Sequence, residues 1–439
     1  MRMLARLRFA RGTRVSPTFR SLSIRNYRLY ASGAVVSNVG TWMQRVAQDW
    51  LVLQLTHNSG SALGITTGLQ FLPILLLSPY AGLIADRFPK RRLLQVTQLM
   101  LAVPALILGV LAVTGVAQSW HVYVLAFVFG IGSAFDAPAR QSFVSEIVGP
   151  DDLTNAVGLN SASFNLARMI GPALAGVLIA ALGSGVSATG AVILVNALSY
   201  GAVILSLQRM RDSELNRPNP VERGKGMIRD GVRYVVGRPD LMLILTIIFF
   251  AGTFGLNFQL TSALMATEVF HKGAGEYGLL GTTLAIGSLS GALLAARRGR
   301  IRHRLVILAA VAFGATEIVA GLMPSYLAFA IWTPVIGLAS LTMITAANAS
   351  FQTSVDPVMR GRAMALYMMI FMGGTPIGAP IVGWVGETFG ARWTLIGGGI
   401  ATILGTVLAV VIFSYVKGLI GHGAEEHEAP EDQMARSAA

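Results

Sequence analysis

Asn38, Trp42, Arg45 and Asp49 recur at intervals of four, three and four in an otherwise apolar stretch, a spacing that places them on one face of a helix. Asp49 is the only acid in that stretch, and Arg45 lies one turn before it. Two chemistries fit. The carboxyl can carry a proton, holding it when its surroundings dry and releasing it when Arg45 or another cation approaches. Alternatively, the two charges form a fixed pair that ties the segment to its neighbours. Ser161, Asn165, Arg168 and Pro172 repeat the pattern further along. Arg168 can bind an anionic or carbonyl-rich group, act as the counter-ion that drives a proton off Asp49, or serve as a structural base tied to helix carbonyls. Gly171 and Pro172 loosen or bend this helix and allow close packing. Thr253, Asn257 and Thr261, ahead of Glu268, form another polar stripe, as do Thr345, Asn348 and Gln352. Such stripes line a polar cavity or satisfy neighbouring helices.

The elements that position these groups belong in lipid. Hydrophobic residues make up 54% of the 439 and charged residues only 13%, about half the charged share of an ordinary soluble domain. Twelve candidate spans lie between residues 28 and 417, each able to cross a hydrocarbon core of about 30 Å as a helix. A charged hinge, Gly82 to Arg92, joins the second to the third. It holds Asp86 with Arg87, Lys90, Arg91 and Arg92, and so must lie in water.

Several function classes fall away. With no cysteine there are no disulfides, thiol nucleophiles or thiolate metal sites. The six histidines show no metal-ligand clustering, and no phosphate-binding Gly-x-x-x-x-Gly-Lys-Ser/Thr segment occurs. These observations predict a protein that is not an enzyme, with no cofactor and no metal. The net charge of +13 follows topology and does not point to nucleic acid. Lys and Arg concentrate in alternate connections, around 87–92, 209–238, 297–304 and 360–362, while the opposite connections hold at most one each. This pattern predicts a multi-pass protein of the cytoplasmic membrane with both termini in the cytoplasm and affinity for anionic lipid.

A register of 207 residues superimposes Gly130 on Gly337, Ser133 on Ser340, Pro150 on Pro357, Gly171 on Gly378 and Gly176 on Gly383. The charged hinge has a worn copy from Gly291 to Arg300 with Ala295 in place of Asp86. Duplication predicts a basic arm over 1–27, a six-helix bundle over 28–208, a linker with an amphipathic helix over 209–239, a second bundle over 240–417, and a disordered tail over 418–439.

These residues resemble the major facilitator superfamily over nearly the whole chain. Gly82, Asp86, Arg87, Lys90, Arg91 and Leu94 match that superfamily's loop signature, with Pro89 in place of a glycine. Gly171-Pro172 followed by Gly176 matches the antiporter motif of the fifth helix, with Ala167 and Ala175 in place of two glycines. The superfamily's arginine in mid-membrane on the fourth helix has no counterpart. The segments 26–29, 41–50 and 135–143 resemble the branch of the enterobactin exporter and macrolide efflux proteins.

The resemblance implies an all-α membrane fold of two pseudo-symmetric six-helix bundles. It also implies proton-coupled export of an amphiphilic small molecule by a monomer through alternating access. A lysophospholipid flippase of the same fold and a non-transporting membrane sensor or scaffold are the alternatives. In that fold Asn38, Trp42, Asn165, Asn257, Thr261, Asn348 and Gln352 are expected to line the cavity, with Asp49, Arg45 and Arg168 coupling the proton. Asp136 and Arg140 are expected to approach Asp86 and Arg87 as an inner gate, with Asp86 also set against the start of the eleventh helix near Gly361 and Arg362. Glu317, on the peripheral ninth helix, is expected to serve packing or the interface.

Overall fold

The computed structural model describes residues 17–216, 227–296 and 303–436. Much of the basic arm, the middle of the linker and the arginines of the worn hinge copy therefore lie outside the described residues. The first bundle holds α1 (Arg25–Leu55), α2 (Gly60–Arg87), α3 (Lys90–Val113), α4 (Ser119–Ile147), α5 (Pro150–Ala181) and α6 (Val186–Gln208). A surface helix, α7 (Met227–Val236), leads to the second bundle. There the seventh pass is discontinuous: α8 (Pro239–Phe250) opens into a wide π turn at Ala251–Gly255, continues as α9 (Phe258–Leu264) and ends in a second π turn at Met265–Val269. The chain then forms α10 (Ala274–Ala296), α11 (His303–Gly321), α12 (Tyr326–Ser354), α13 (Arg360–Phe389) and α14 (Ala391–Arg436).

Eleven of the described helical segments are long and apolar enough to cross a membrane. The remaining pass, α1, has 31 residues, ample length, but its polar stripe lowers its hydropathy. It packs mainly against α5 and α6. Helix α14 continues to Arg436, through residues expected to be disordered; alanine and glutamate between 424 and 428 favour helix once one is started.

Duplication is visible in packing. The bounds of α12 are those of α4 moved by 207 residues, as Ser119 and Ile147 map to Tyr326 and Ser354. Gly130 of α4 faces the Gln70 carbonyl of α2, and its mate Gly337 of α12 faces the Leu284 carbonyl of α10. Gly171 of α5 lies on α1 at Trp42 and Val39, and Gly378 of α13 lies on the seventh pass at Thr253. In each pair, a side chain would separate two backbones in contact.

The bundles meet along two seams, α2 with α13 and α5 with α10. Gly60 and Gly64 abut Gly383 and Ala379 in one, and Gly176 and Gly278 abut Ala274 and Pro172 in the other. Both seams lie toward the end whose loops are poor in arginine. At the arginine-rich end, Gly82, Gly158 and Gly361 have no neighbour that a Cβ would reach. Among the described residues, no hydrogen bond or ion pair joins the bundles at that end.

At the arginine-rich end the arm and the linker are each tied to the bundle they adjoin. Ser21 bonds Asn155 at 2.8 Å and Arg20 pairs with Asp152 at 2.8 Å, so the described part of the arm is docked on α5. Tyr234 of α7 bonds Asp356 at 2.9 Å and Arg362 lies 3.6 Å from Asp230, which holds the linker helix against α13.

Candidate functional site

A cavity of about 260 Å³ lies between the bundles, walled by α1, α2, α5, the seventh pass, α10 and α13. The stripe on α1 supplies two of its walls. Trp42 projects a ring and Arg45 a guanidinium, because positions three apart share a helical face. Arg45 Cζ stands 4.8 Å from the Trp42 ring centroid and 5.8 Å from that of Phe71 on α2. Arg168 of α5 lies over the same tryptophan at 5.6 Å. Cation–π contacts of this kind contribute about 0.5–2 kcal/mol, more when water is excluded.

Asp49 sits one turn beyond Arg45, only 9% exposed, and forms no ion pair with it. Its Oδ2 instead accepts a hydrogen bond from the Tyr277 hydroxyl of α10, 2.8 Å away in the other bundle. The same hydroxyl lies 3.3 Å from the Gln259 carbonyl, and Trp50 stacks on the Tyr277 ring at 6.3 Å. The acid therefore bridges the bundles, and the alternative of a fixed Arg45–Asp49 pair does not describe this conformation. No local pattern marks Tyr277, which is 228 residues away and at the start of its helix.

Of the residues expected around the cavity, Trp42 and Asn257 line it together with Arg45, Arg168 and Pro172. Asn257 donates to the Thr253 carbonyl at 2.8 Å, closing the π turn, and its own carbonyl oxygen is buried without a partner. Asn38, Asn165, Thr261, Asn348 and Gln352 do not line this volume. Asn165 donates to Ser161 and Thr261 to Phe258 within their own helices. Gln352 donates to Asn348 at 2.7 Å toward the arginine-rich end. Phe71, Gln259 and Tyr277 take part instead.

The expected inner-gate residues are held inside the first bundle. Asp136 pairs with Arg140 at 2.9 Å and accepts from Thr97 at 2.8 Å and Gln98 at 2.7 Å, fastening α4 to α3. Lys90 is buried against Glu146 at 2.7 Å, and Arg91 pairs with Asp212 at 2.8 Å. Arg87 is exposed, and the Asp86 side chain lies outside what is described. The fifth-helix motif has a definite role. Gly171 lets α5 lie on α1, while Pro172 and Gly176 form the seam with α10. Of packing and the interface, the two roles expected for Glu317, its position fits packing. It is 1% exposed, and its Oε2 is unpartnered near Gly255 of the first π turn and Gly398 of α14.

The family model described as a transmembrane secretion effector matches residues 16–432. The chain belongs to this family of the major facilitator superfamily. It is similar to the Staphyloferrin A transporter of Staphylococcus aureus, 27% identical over 387 residues, which cover 87% of this chain and 94% of that protein. Macrolide efflux protein A of Streptococcus pyogenes is 23% identical over 90% of this chain and 97% of its own. The multidrug efflux pump Tap of Mycolicibacterium fortuitum is 27% identical over 86% and 93%. Among solved structures, a bacterial homologue of the lysosomal transporter Spinster in an inward-facing conformation aligns with a TM-score of 0.66 at 16% identity, covering 92% of this chain and 97% of that one. A D-xylose–proton symporter aligns with 0.68 at 10%, covering 89% and 97%. These last two establish the fold alone.

As a multi-pass transporter of this superfamily, the chain has its central cavity where the two bundles meet. The cavity combines two cations, aromatic faces and amides with a buried acid bonded across the interface.

Proposed function

We propose that this protein is a secondary exporter that exchanges protons for an amphiphilic small molecule by alternating access. The observation that carries the proposal is the hydrogen bond from Tyr277 to Asp49 at 2.8 Å, which joins a titratable group in one bundle to the other beside the cavity. By the positive-inside rule the arginine-rich end is cytoplasmic, so this conformation is closed to the outside and open to the cytoplasm. The efflux pumps and transporters among its relatives support export.

The proposed cycle follows from the cost of an unpaired charge in a dry interface. When the bundles part on the outer side, water reaches Asp49 and a proton binds. The neutral acid then enters the closed seam as the acceptor of the Tyr277 hydroxyl. In the state open to the cytoplasm the Tyr277 hydroxyl and Arg45, one turn away, both favour the charged carboxyl, and the proton leaves inward through the cavity where cargo docks. Glycine-lined seams at α2–α13 and α5–α10 allow the bundles to rock without a bulky side chain blocking closure.

Everted membrane vesicles given an inward-acid pH gradient test the coupling. The expected result is gradient-driven accumulation of fluorescent amphiphiles that is lost in Asp49→Asn, while exchange of cargo for cargo without a gradient survives. Accumulation by Asp49→Asn equal to the parent would remove this acid from the mechanism.

A further inference from the structure

The cavity holds two guanidinium groups against one ring and no acid in its lining. Arg45 and Arg168 lie 4.8 and 5.6 Å from the Trp42 centroid. No Asp or Glu lines the cavity, and among the described residues neither arginine joins an ion pair. The one nearby carboxyl, Asp49, lies one turn from Arg45 outside the lining and bonds Tyr277, so at most one negative charge answers two guanidinium groups. Two like charges beside an apolar wall repel each other and lose hydration, a cost that a bound anion removes. Guanidinium also presents parallel donors that match a carboxylate in a forked geometry.

The rest of the lining describes the body attached to that anion. Trp42, Phe71, Phe258 and Phe371 present apolar faces. Asn257 contributes a buried carbonyl oxygen without a partner, a ready acceptor for one donor on the cargo. We propose that the cavity selects a cargo bearing a carboxylate on a planar apolar body, the carboxylate held between Arg45 and Arg168 and the body against Trp42. The inference rests on the cavity being the cargo site. It also gives the exchange a direction. A proton moving inward and an anion moving outward both carry charge in the sense favoured by an inside-negative membrane.

The test measures equilibrium binding to the purified full-length protein in nanodiscs, with three probes that share one ring system: 1-naphthaleneacetate, 1-naphthaleneacetamide and 2-(1-naphthyl)ethylamine. The carboxylate should bind at least about tenfold more tightly than the amide, with the amine weakest. Arg45→Gln and Arg168→Gln should each reduce the carboxylate's advantage over the amide to under about threefold. Arg168→Lys should keep part of the preference. Should a variant elute as aggregate, the parent alone still answers: carboxylate affinity should fall with added salt while amide affinity holds. Equal binding of the three probes, tighter binding of the amine, absence of saturable carboxylate binding, or a preference intact in both Gln variants would overturn the proposal. Binding needs no gradient, so failure of proton-driven export and failure of anion selection are read separately.

Discussion

Tyr277→Phe removes one hydroxyl and leaves the ring that stacks on Trp50. The lost bond is 2.8 Å long, between residues 2% and 9% exposed, and it joins the bundles. The other hydrogen bonds across the interface are of different kinds. Ser59 and the Ser61 amide meet Glu387 at 2.8 Å in exposed positions, and Thr282 donates to the Met169 carbonyl at 2.7 Å. A buried hydrogen bond contributes about 1 kcal/mol net, and about 1.5–3 kcal/mol when its acceptor is charged. Because about 1.4 kcal/mol is a factor of ten, the population open at the arginine-poor end should rise roughly five- to 150-fold. The chain has no cysteine, so Ala274→Cys, buried in the α5–α10 seam, is a clean reporter. Its labelling by a membrane-impermeant maleimide should accelerate by that factor in Tyr277→Phe. Asp49→Ala should do the same, and the double variant should add little, because both remove one bond. Labelling within about twofold of the parent in both single variants would refute the assignment of this bond as an interface latch, since a population shift worth about 1 kcal/mol exceeds that change.

Two further outcomes test the scaffold. A Cβ on Gly278 would meet the Pro172 carbonyl and the Gly176 Cα, both backbone, so Gly278→Leu should hold the α5–α10 seam open. Transport should fall at least about tenfold, and Ala274→Cys labelling should rise, in a protein with unchanged helical circular dichroism; parental flux would show that the seam need not close. Lys90→Met leaves the Glu146 carboxylate buried without the partner it meets at 2.7 Å, which should cost about 3–5 kcal/mol of stability. Lys90→Met/Glu146→Leu should recover most of the loss in detergent thermal unfolding, and an unshifted midpoint for Lys90→Met would count against a buried pair.

The passes, their alternating charge and the duplication were legible because each is a local or periodic property of the chain. Apolar length marks a span, arginine density marks a side, and a constant register marks a repeat. The α1 stripe was legible for the same reason, since spacings of three and four fix a face. Partners were not legible. Asp49 meets Tyr277 in place of Arg45, and Lys90 meets Glu146 across 56 residues. Nothing periodic records such pairings. Thr261 and Asn348 do not line this volume, and hydroxyls and amides on a helix can find partners one turn away. Glu317 was legible only as far as packing or interface, because a helix's rank in the fold says little about which of its faces is buried.

The repeat also shows how a symmetric scaffold acquires a direction. Its packing residues are duplicated, as Gly130 with Gly337 and Gly171 with Gly378 make equivalent backbone contacts in the two bundles. The polar residues at the cavity and its seam are not. In the same register Arg168 falls on Thr375, which lines the cavity without a charge. In the register that brings Gly82 onto Gly291, Tyr277 falls on Gly68, which packs on Pro376 and Pro380. On the proposed coupling, the α5–α10 seam, beside which Tyr277 reaches Asp49, would respond to a proton on Asp49, while its counterpart between α2 and α13 closes on glycine and proline. In the proposed cycle, two seams of like geometry and unlike chemistry would let one ion bias a rocking motion that packing alone would leave nearly indifferent, because only an interaction that differs between two states can shift their balance.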